Sequence, residues 1–228
     1  LKRITMNIGR GRPRTFATDD ALDMALHAFW KKGFQNTRLS DLTDAMGINK
    51  PSLYAAFGDK QALYLSALTR YIDSHLASLA KQLLAIPNGR EAVQGFLISL
   101  ARLFSDPALP GGCFIVTGAA DCADPLTPDE VRGALQSALQ ANQALLAQRL
   151  ERAQKEGELP AGQGATTLAR FFMSTVAGMS VLSKNGADAQ ALIDVVDTAM
   201  KVWPDDGPVA LPAKSRRRAG APPRKRQE

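Results

Sequence analysis

The sequence predicts an all-α fold: a three-helix helix-turn-helix unit at the N-terminal end, fused to a larger helical bundle. Three observations carry this. Apolar residues recur at three- and four-residue spacing along most of the chain. No stretch alternates apolar and polar residues long enough to make a strand. Glycine, proline and capping residues then cut the pattern into helix-sized pieces.

The first piece opens with Thr18 as N-cap, followed by Asp19 and Asp20, acids that suit the positive end of a helix dipole. Leu22, Leu26, Phe29 and Trp30 continue it until Gly33. A second helix spans about 40–46 and a third about 51–57, with Gly47 turning the chain between them. Asn49 is placed to cap the third helix and Pro51 to start it. Leu42, Ala45, Ile48, Leu53 and Phe57 are then expected to face the first helix, leaving Lys50, Ser52, Tyr54 and Lys60 outward. A long fourth helix opens at Asp59, carries Leu63, Leu68, Ile72, Leu76, Leu79 and Leu83, and ends before Pro87.

Beyond it, 89–105 is amphipathic and DPALPGG at 106–112 is a clear break. Thr127 to Glu130 reads as a capping box with Pro128 in the first helical position, opening a helix that Gly157 closes. Two more helices are expected over 164–184 and 188–203. The last 25 residues, rich in Pro, Ala and Arg, read as disordered.

Charge is unevenly placed. Residues 1–14 hold five Lys or Arg and no acid, and 204–228 hold seven against three acids, leaving 16 basic and 19 acidic residues over 15–203. The net +6 therefore resides in the two ends, which suit a polyanionic partner. A helix-Gly-helix over 37–60 is the arrangement that seats a helix in the DNA major groove. Alone it is more often a small helical bundle with no nucleic-acid role.

Other chemistries find no support. There is no P-loop, no HExxH, no nucleophile elbow and no dinucleotide fingerprint, so neither an enzyme nor a cofactor is expected. His27 and His75 stand alone on their helices, and Cys113 and Cys122 are spaced for neither a zinc knuckle nor a redox pair, so no metal is expected. No apolar run approaches the roughly 18–20 residues of a membrane span, and the first residues lack a signal-peptide pattern. A cytoplasmic location is the default expectation. Met6 reads as an alternative start that keeps Arg10 to Arg14.

The string LSDLTDAMGINKPSLYAAFGDKQALY resembles the N-terminal DNA-binding domain of the tetracycline-repressor family of bacterial transcription factors, through Gly47, Ile48, Leu53, Tyr54, Phe57, Lys60 and Leu63. The resemblance implies phosphate contacts from Tyr54 and Lys60, contacts from Thr37 and Arg38 at the entry to the second helix, and base-edge contacts from Lys50 and Ser52. Ala55 and Ala56 depart from the family's bulkier polar pair. It also implies a boundary scheme: a basic arm over 1–14, a DNA-binding domain over 15–62, a ligand-binding and dimerisation domain over 63–203, and a basic tail over 204–228. The function expected is a homodimeric regulator, by family habit a repressor, that binds a palindromic double-stranded operator and leaves it when a small-molecule or electrophile effector binds. The rival is a nucleoid-type binder that uses its basic ends without sequence preference.

Arg10-Gly11-Arg12-Pro13 resembles the core of an AT-hook, so Arg10, Arg12 and Arg14 are candidates for a minor-groove arm; the alternative is a basic leader touching phosphates at random. Cys113 follows Gly111-Gly112 at a helix start, where a thiol pKa is lowered. GGCFIVTGAADCAD resembles a Gly-Cys segment in a branch of the same family that answers to electrophiles, oxidants or metals, with Lys184 in the stretch that carries an accompanying lysine. The plainer reading is a semi-buried cysteine without chemistry. Phe96, Leu100, Phe104, Phe114, Met173 and Val176 are candidates to line a ligand cavity or are ordinary core. Phe171, Ser174, Gly178, Leu192, Val195, Val196 and Trp203 are candidates for the dimer interface, or intramolecular core.

Overall fold

The structure is a computed structural model that describes residues 14–160, 162 and 164–203. Arg10, Arg12 and the tail 204–228 lie outside the described residues, as does the side chain of Arg14.

All regular structure among the described residues is helical. Helix α1 spans Arg14–Asn36, so Thr18 lies inside its first turns rather than capping it. Gly33 breaks it, at φ 78° and ψ 169°. Helices α2 (Leu39–Met46) and α3 (Lys50–Phe57) follow, and Asp59 caps α4 (Lys60–Tyr71) by accepting from the Ala62 amide at 2.8 Å. The long fourth helix of the sequence is interrupted: a π-turn over Ile72–Leu76 separates α4 from α5 (Ala77–Ala85). The 62/63 boundary therefore falls inside α4, which packs on α1 at one side and on α7 and α8 at the other.

Helix α6 (Gly89–Phe104), capped by Asn88, leads through the Gly-Gly turn to α7 (Phe114–Asp121) and the long α8 (Asp129–Lys155). The capping box does not form. Pro128 is the N-cap residue, while Thr127 is buried and its hydroxyl accepts from Gln35 Nε2 at 2.9 Å. Helix α9 (Ala165–Lys184) lies against α8 and α10 (Ala189–Ala199), and a short 3₁₀ turn over Met200–Val202 ends the described chain. Contrary to the sequence expectation, α9 is long and apolar enough, by length and composition, to cross a membrane. Its Leu168, Phe172, Val176 and Met179 face the protein core instead.

One hydrophobic core runs through the molecule. Where the N-terminal helices meet the rest, it becomes an aromatic cluster. Trp30 of α1 stands edge-on to Tyr71 (ring centroids 4.9 Å apart), and Phe114 of α7 lies 5.2 Å from Tyr64 and 5.6 Å from Tyr71. Such pairs add about 0.5–1.5 kcal/mol each beyond their buried area. Polar ties reinforce the same seam: Arg70 is bidentate on Asp23 at 2.7 Å, and Lys184 donates to the Trp30 carbonyl at 3.0 Å.

Candidate nucleic-acid interface and the buried thiol behind it

The turn between α2 and α3 follows from its residues. Gly47 sits in the left-handed region at φ 64°, where a β-carbon is disfavoured, and its amide and that of Ile48 close back on the end of α2. Asn49 Oδ1 accepts from the Ser52 amide at 2.9 Å, fixing where α3 begins. Leu53 is fully buried against the core, and Leu42, Thr43 and Met46 of α2 face the same way. Ala45, expected inside, is exposed; Met46 fills the position one residue on.

With α3 held from behind, Lys50, Ser52 and Tyr54 project into solvent, Tyr54 at 49% exposure. Arg38 is exposed at the start of α2, its backbone amide bonded to Asp41 at 2.8 Å. All four are exposed on the helix pair. Thr37 is not: it is fully buried, and its hydroxyl donates to the Gly33 carbonyl at 2.5 Å, closing the α1 break. Thr37 is therefore a structural residue and not a side-chain contact. Lys60 is half-buried, with its ammonium 4.5 Å over the Phe34 ring, and burial lowers its pKa while Asp41 opposes the shift. The ring anchors the lysine stem at the first turn of α4. Over 18–60 there are five basic and six acidic residues, so this surface relies on placement more than on charge.

The thiol lies behind the aromatic cluster. Cys113 is the N-cap residue of α7 and is 4% exposed. Its amide donates to Ser180 Oγ on α9 at 2.8 Å, and its sulfur accepts from the Tyr71 hydroxyl at 3.5 Å. Burial pushes the thiol pKa up, against the Tyr71 hydrogen bond and nearby amides, so the lowering expected from the helix start is overturned by desolvation. Gly112, at φ 66°, allows the approach: a β-carbon there would stand 2.8 Å from the Ser180 carbonyl. Cys122 is also buried, and both thiols are free.

Phe96, Leu100, Phe104, Cys113, Met173 and Val176 border one apolar cavity of about 30 Å³, with Asn142 on α8 as its polar wall. That volume holds about one water. Phe114 faces the aromatic cluster instead, and the Lys184 ammonium bonds the Trp30 and Pro110 carbonyls rather than the thiol. Tyr71 and Ser180, the polar partners of Cys113, escaped the sequence reading. Tyr64 and Tyr71, seven apart on one helix face, were the available signal for an aromatic seam.

On α9 and α10, Phe171 (40% exposed), Ser174, Gly178 and Val195 lie on an outer surface with Leu182. Leu192, Val196 and Trp203 do not: they are buried in the protein's own core, on the inward side of the same helical period.

A capped helix-turn-helix presenting polar side chains, joined to a helical body with a small apolar cavity, is the architecture of a DNA-binding regulatory protein. Residues 21–67 match the model for bacterial regulatory proteins of the tetR family, and residues 89–199 match the tetracycline repressor-like C-terminal domain. The HTH-type transcriptional repressor ComR of Escherichia coli K12 is 34% identical over 199 residues, covering 86% of this chain and 93% of ComR. The chain belongs to the tetR family of transcriptional regulators, a non-enzymatic family. Among solved structures, a cysteine mutant of the TetR family regulator CifR, complexed with 26-base-pair double-strand operator DNA, is 34% identical with a TM-score of 0.79 over 85% of this chain and all of that one. Reduced NemR of E. coli shares the fold, with a TM-score of 0.70 at 20% identity over 84% of this chain and 98% of NemR.

Proposed function

We propose that this chain is a homodimeric transcriptional repressor that binds a pseudo-palindromic operator and is released by an effector acting at the Cys113 cavity. The observation that carries the proposal is the capped α3 with Lys50, Ser52 and Tyr54 on its free surface, in a chain 34% identical to a named repressor and to a regulator bound to operator DNA. In this scheme residues 15–62 read DNA and 63–203 sense and dimerise. Lys50, Ser52 and Arg38 approach base edges, Tyr54 and Lys60 hold phosphates, and the arm with Arg10, Arg12 and Arg14 follows the adjoining minor groove. One helix in one groove gives little affinity, so two copies pair through Phe171, Ser174, Gly178 and Val195. Acting on DNA, the protein works inside the cell.

Release follows from differential binding: an effector that favours one arrangement of α4 shifts the spacing of the two reading heads. Cys113 touches Tyr71, the last residue of α4, and Tyr71 touches Trp30 of α1. An electrophile that reaches the sulfur as the cavity widens would add to it, displace the Tyr71 hydroxyl and strain the seam. The test is operator release on treatment with N-ethylmaleimide, in parent and Cys113→Ser proteins. The proposal expects release only in the parent. Release from both, or from neither, refutes Cys113 as the sensing group.

A further inference from the structure

A groove at the seam of α1, α7 and α9 is distinct from the thiol cavity, with Val116 as the residue bordering both. Its volume is about 410 Å³, within the roughly 300–1,000 Å³ of small-molecule sites. Its apolar lining includes Val116, Val181 and Trp30. The same lining holds three lysines, Lys31, Lys32 and Lys184, against the single carboxylate of Asp121.

The cations are not equally engaged. Lys32 pairs with Asp41 at 2.8 Å. Lys184 is exposed, yet its ammonium is held inward, donating to the Trp30 carbonyl at 3.0 Å and the Pro110 carbonyl at 3.5 Å, both neutral acceptors. Among the described residues no carboxylate lies within 4.0 Å of it. An ammonium hydrogen-bonded only to carbonyls still gains from an anion, because charge-assisted bonds are about twice as strong as those to neutral groups. Burial lowers the Lys184 pKa, while the Asp121 carboxylate across the groove opposes the shift without bonding the ammonium. Inorganic anions would leave the apolar lining uncovered, whereas an organic acid covers it.

We infer that this seam groove is a second effector site, for an organic anion with a small apolar body whose carboxylate takes Lys184 and whose ring or chain lies on Val116 and Val181. The ligand competes with the Trp30 carbonyl for the Lys184 ammonium, and that bond is a polar tie between α9 and α1. Occupancy is thereby reported to the N-terminal helices without passing through Cys113.

The test uses 2-naphthoate and its neutral analogue 2-naphthamide on the full chain, by isothermal titration with tryptophan fluorescence as a second readout. No DNA is involved, so the result does not depend on the operator-binding proposal. Loss of a charge-assisted bond predicts that the acid binds at least about tenfold more tightly than the amide, one per chain. Lys184→Met weakens the acid by about tenfold, and Lys184→Arg keeps most of its affinity. Val181→Glu, at a side chain 55% exposed, leaves the far-ultraviolet circular dichroism unchanged and weakens the acid comparably by repulsion. Cys113→Ser, which leaves the seam unstrained, changes nothing. The inference is overturned if acid and amide bind equally, if neither binds, if Lys184→Met and Val181→Glu are both silent, or if Cys113→Ser weakens the acid as much as Lys184→Met does, which would put the probe in the core cavity.

Discussion

Replacing Gly112 by alanine tests the packing that seats Cys113. The new β-carbon would stand 2.8 Å from the Ser180 carbonyl oxygen and 2.9 Å from Ser180 Oγ, with Lys184 Cγ at 3.2 Å. Neither oxygen is free to retreat: one belongs to the α9 backbone, and the other accepts from the Cys113 amide at 2.8 Å. The backbone at φ 66° adds about 1–2 kcal/mol for a left-handed L-residue, and overpacking adds about 1–3 kcal/mol. The expected loss is about 2–5 kcal/mol, which at roughly 2–4 °C per kcal/mol for a chain of this size lowers Tm by about 4–20 °C. Thermal denaturation followed by circular dichroism measures it. Gly95→Ala and Gly133→Ala are the controls: both lie inside helices with nothing within 4 Å of the added carbon, so each should stabilise by up to about 1 kcal/mol. In a Cys122→Ser background, displacement of the α7 start should also speed reaction of Cys113 with a thiol-specific disulfide reagent. A Gly112→Ala protein melting within about 2 °C of the parent, its thiol equally protected, would show that the α7 start is not packed tightly on Ser180.

Alkylation of Cys113 by iodoacetamide should be slower at pH 7 than that of an exposed thiol. Because burial raises its pKa, the thiolate fraction is small at neutral pH, and the rate should keep climbing above the pH where an ordinary thiol levels off; an earlier plateau would contradict this. Lys60→Ala and Tyr54→Phe should weaken binding to all DNA sequences alike, with the salt slope falling by about one for the lysine, whereas Lys50→Ala and Ser52→Ala should alter preference among operator variants. Equal losses on every variant for all four would reject that division. Asn49→Ala removes the α3 cap and should cost about 1 kcal/mol in chemical denaturation; no change would mean the cap bond is idle. If the chain pairs as proposed, Phe171→Glu should leave it monomeric in light scattering where the parent is dimeric, and a dimer persisting in the variant would move the interface elsewhere.

The helices were legible because caps and breakers mark them locally: Asn49, Asp59 and Gly47 act within three or four residues of where the sequence puts them. What was not legible depends on distant partners. Thr127 has the neighbours of a capping residue, yet Gln35, 92 residues away, takes its hydroxyl. Thr37 looks like an entry contact until the Gly33 break supplies a carbonyl for it. Helical period marks an apolar face but not which molecule covers it, so Leu192, Val196 and Trp203 read like Phe171 although they are core. Cys113 stands at a helix start, as its glycines announce, but its surroundings, which decide the sign of the pKa shift, come from α4 and α9.

Whether α3 reads DNA sequence is decided by in vitro selection from random double-stranded 26-mers with the full chain, followed by competition against bulk genomic DNA. The expected product is a pseudo-palindromic motif bound at least about 10³-fold more tightly than competitor. Recovery of sequences without a shared motif, at a specificity ratio near unity, would contradict sequence reading by α3 and leave a general binder that works through its basic ends.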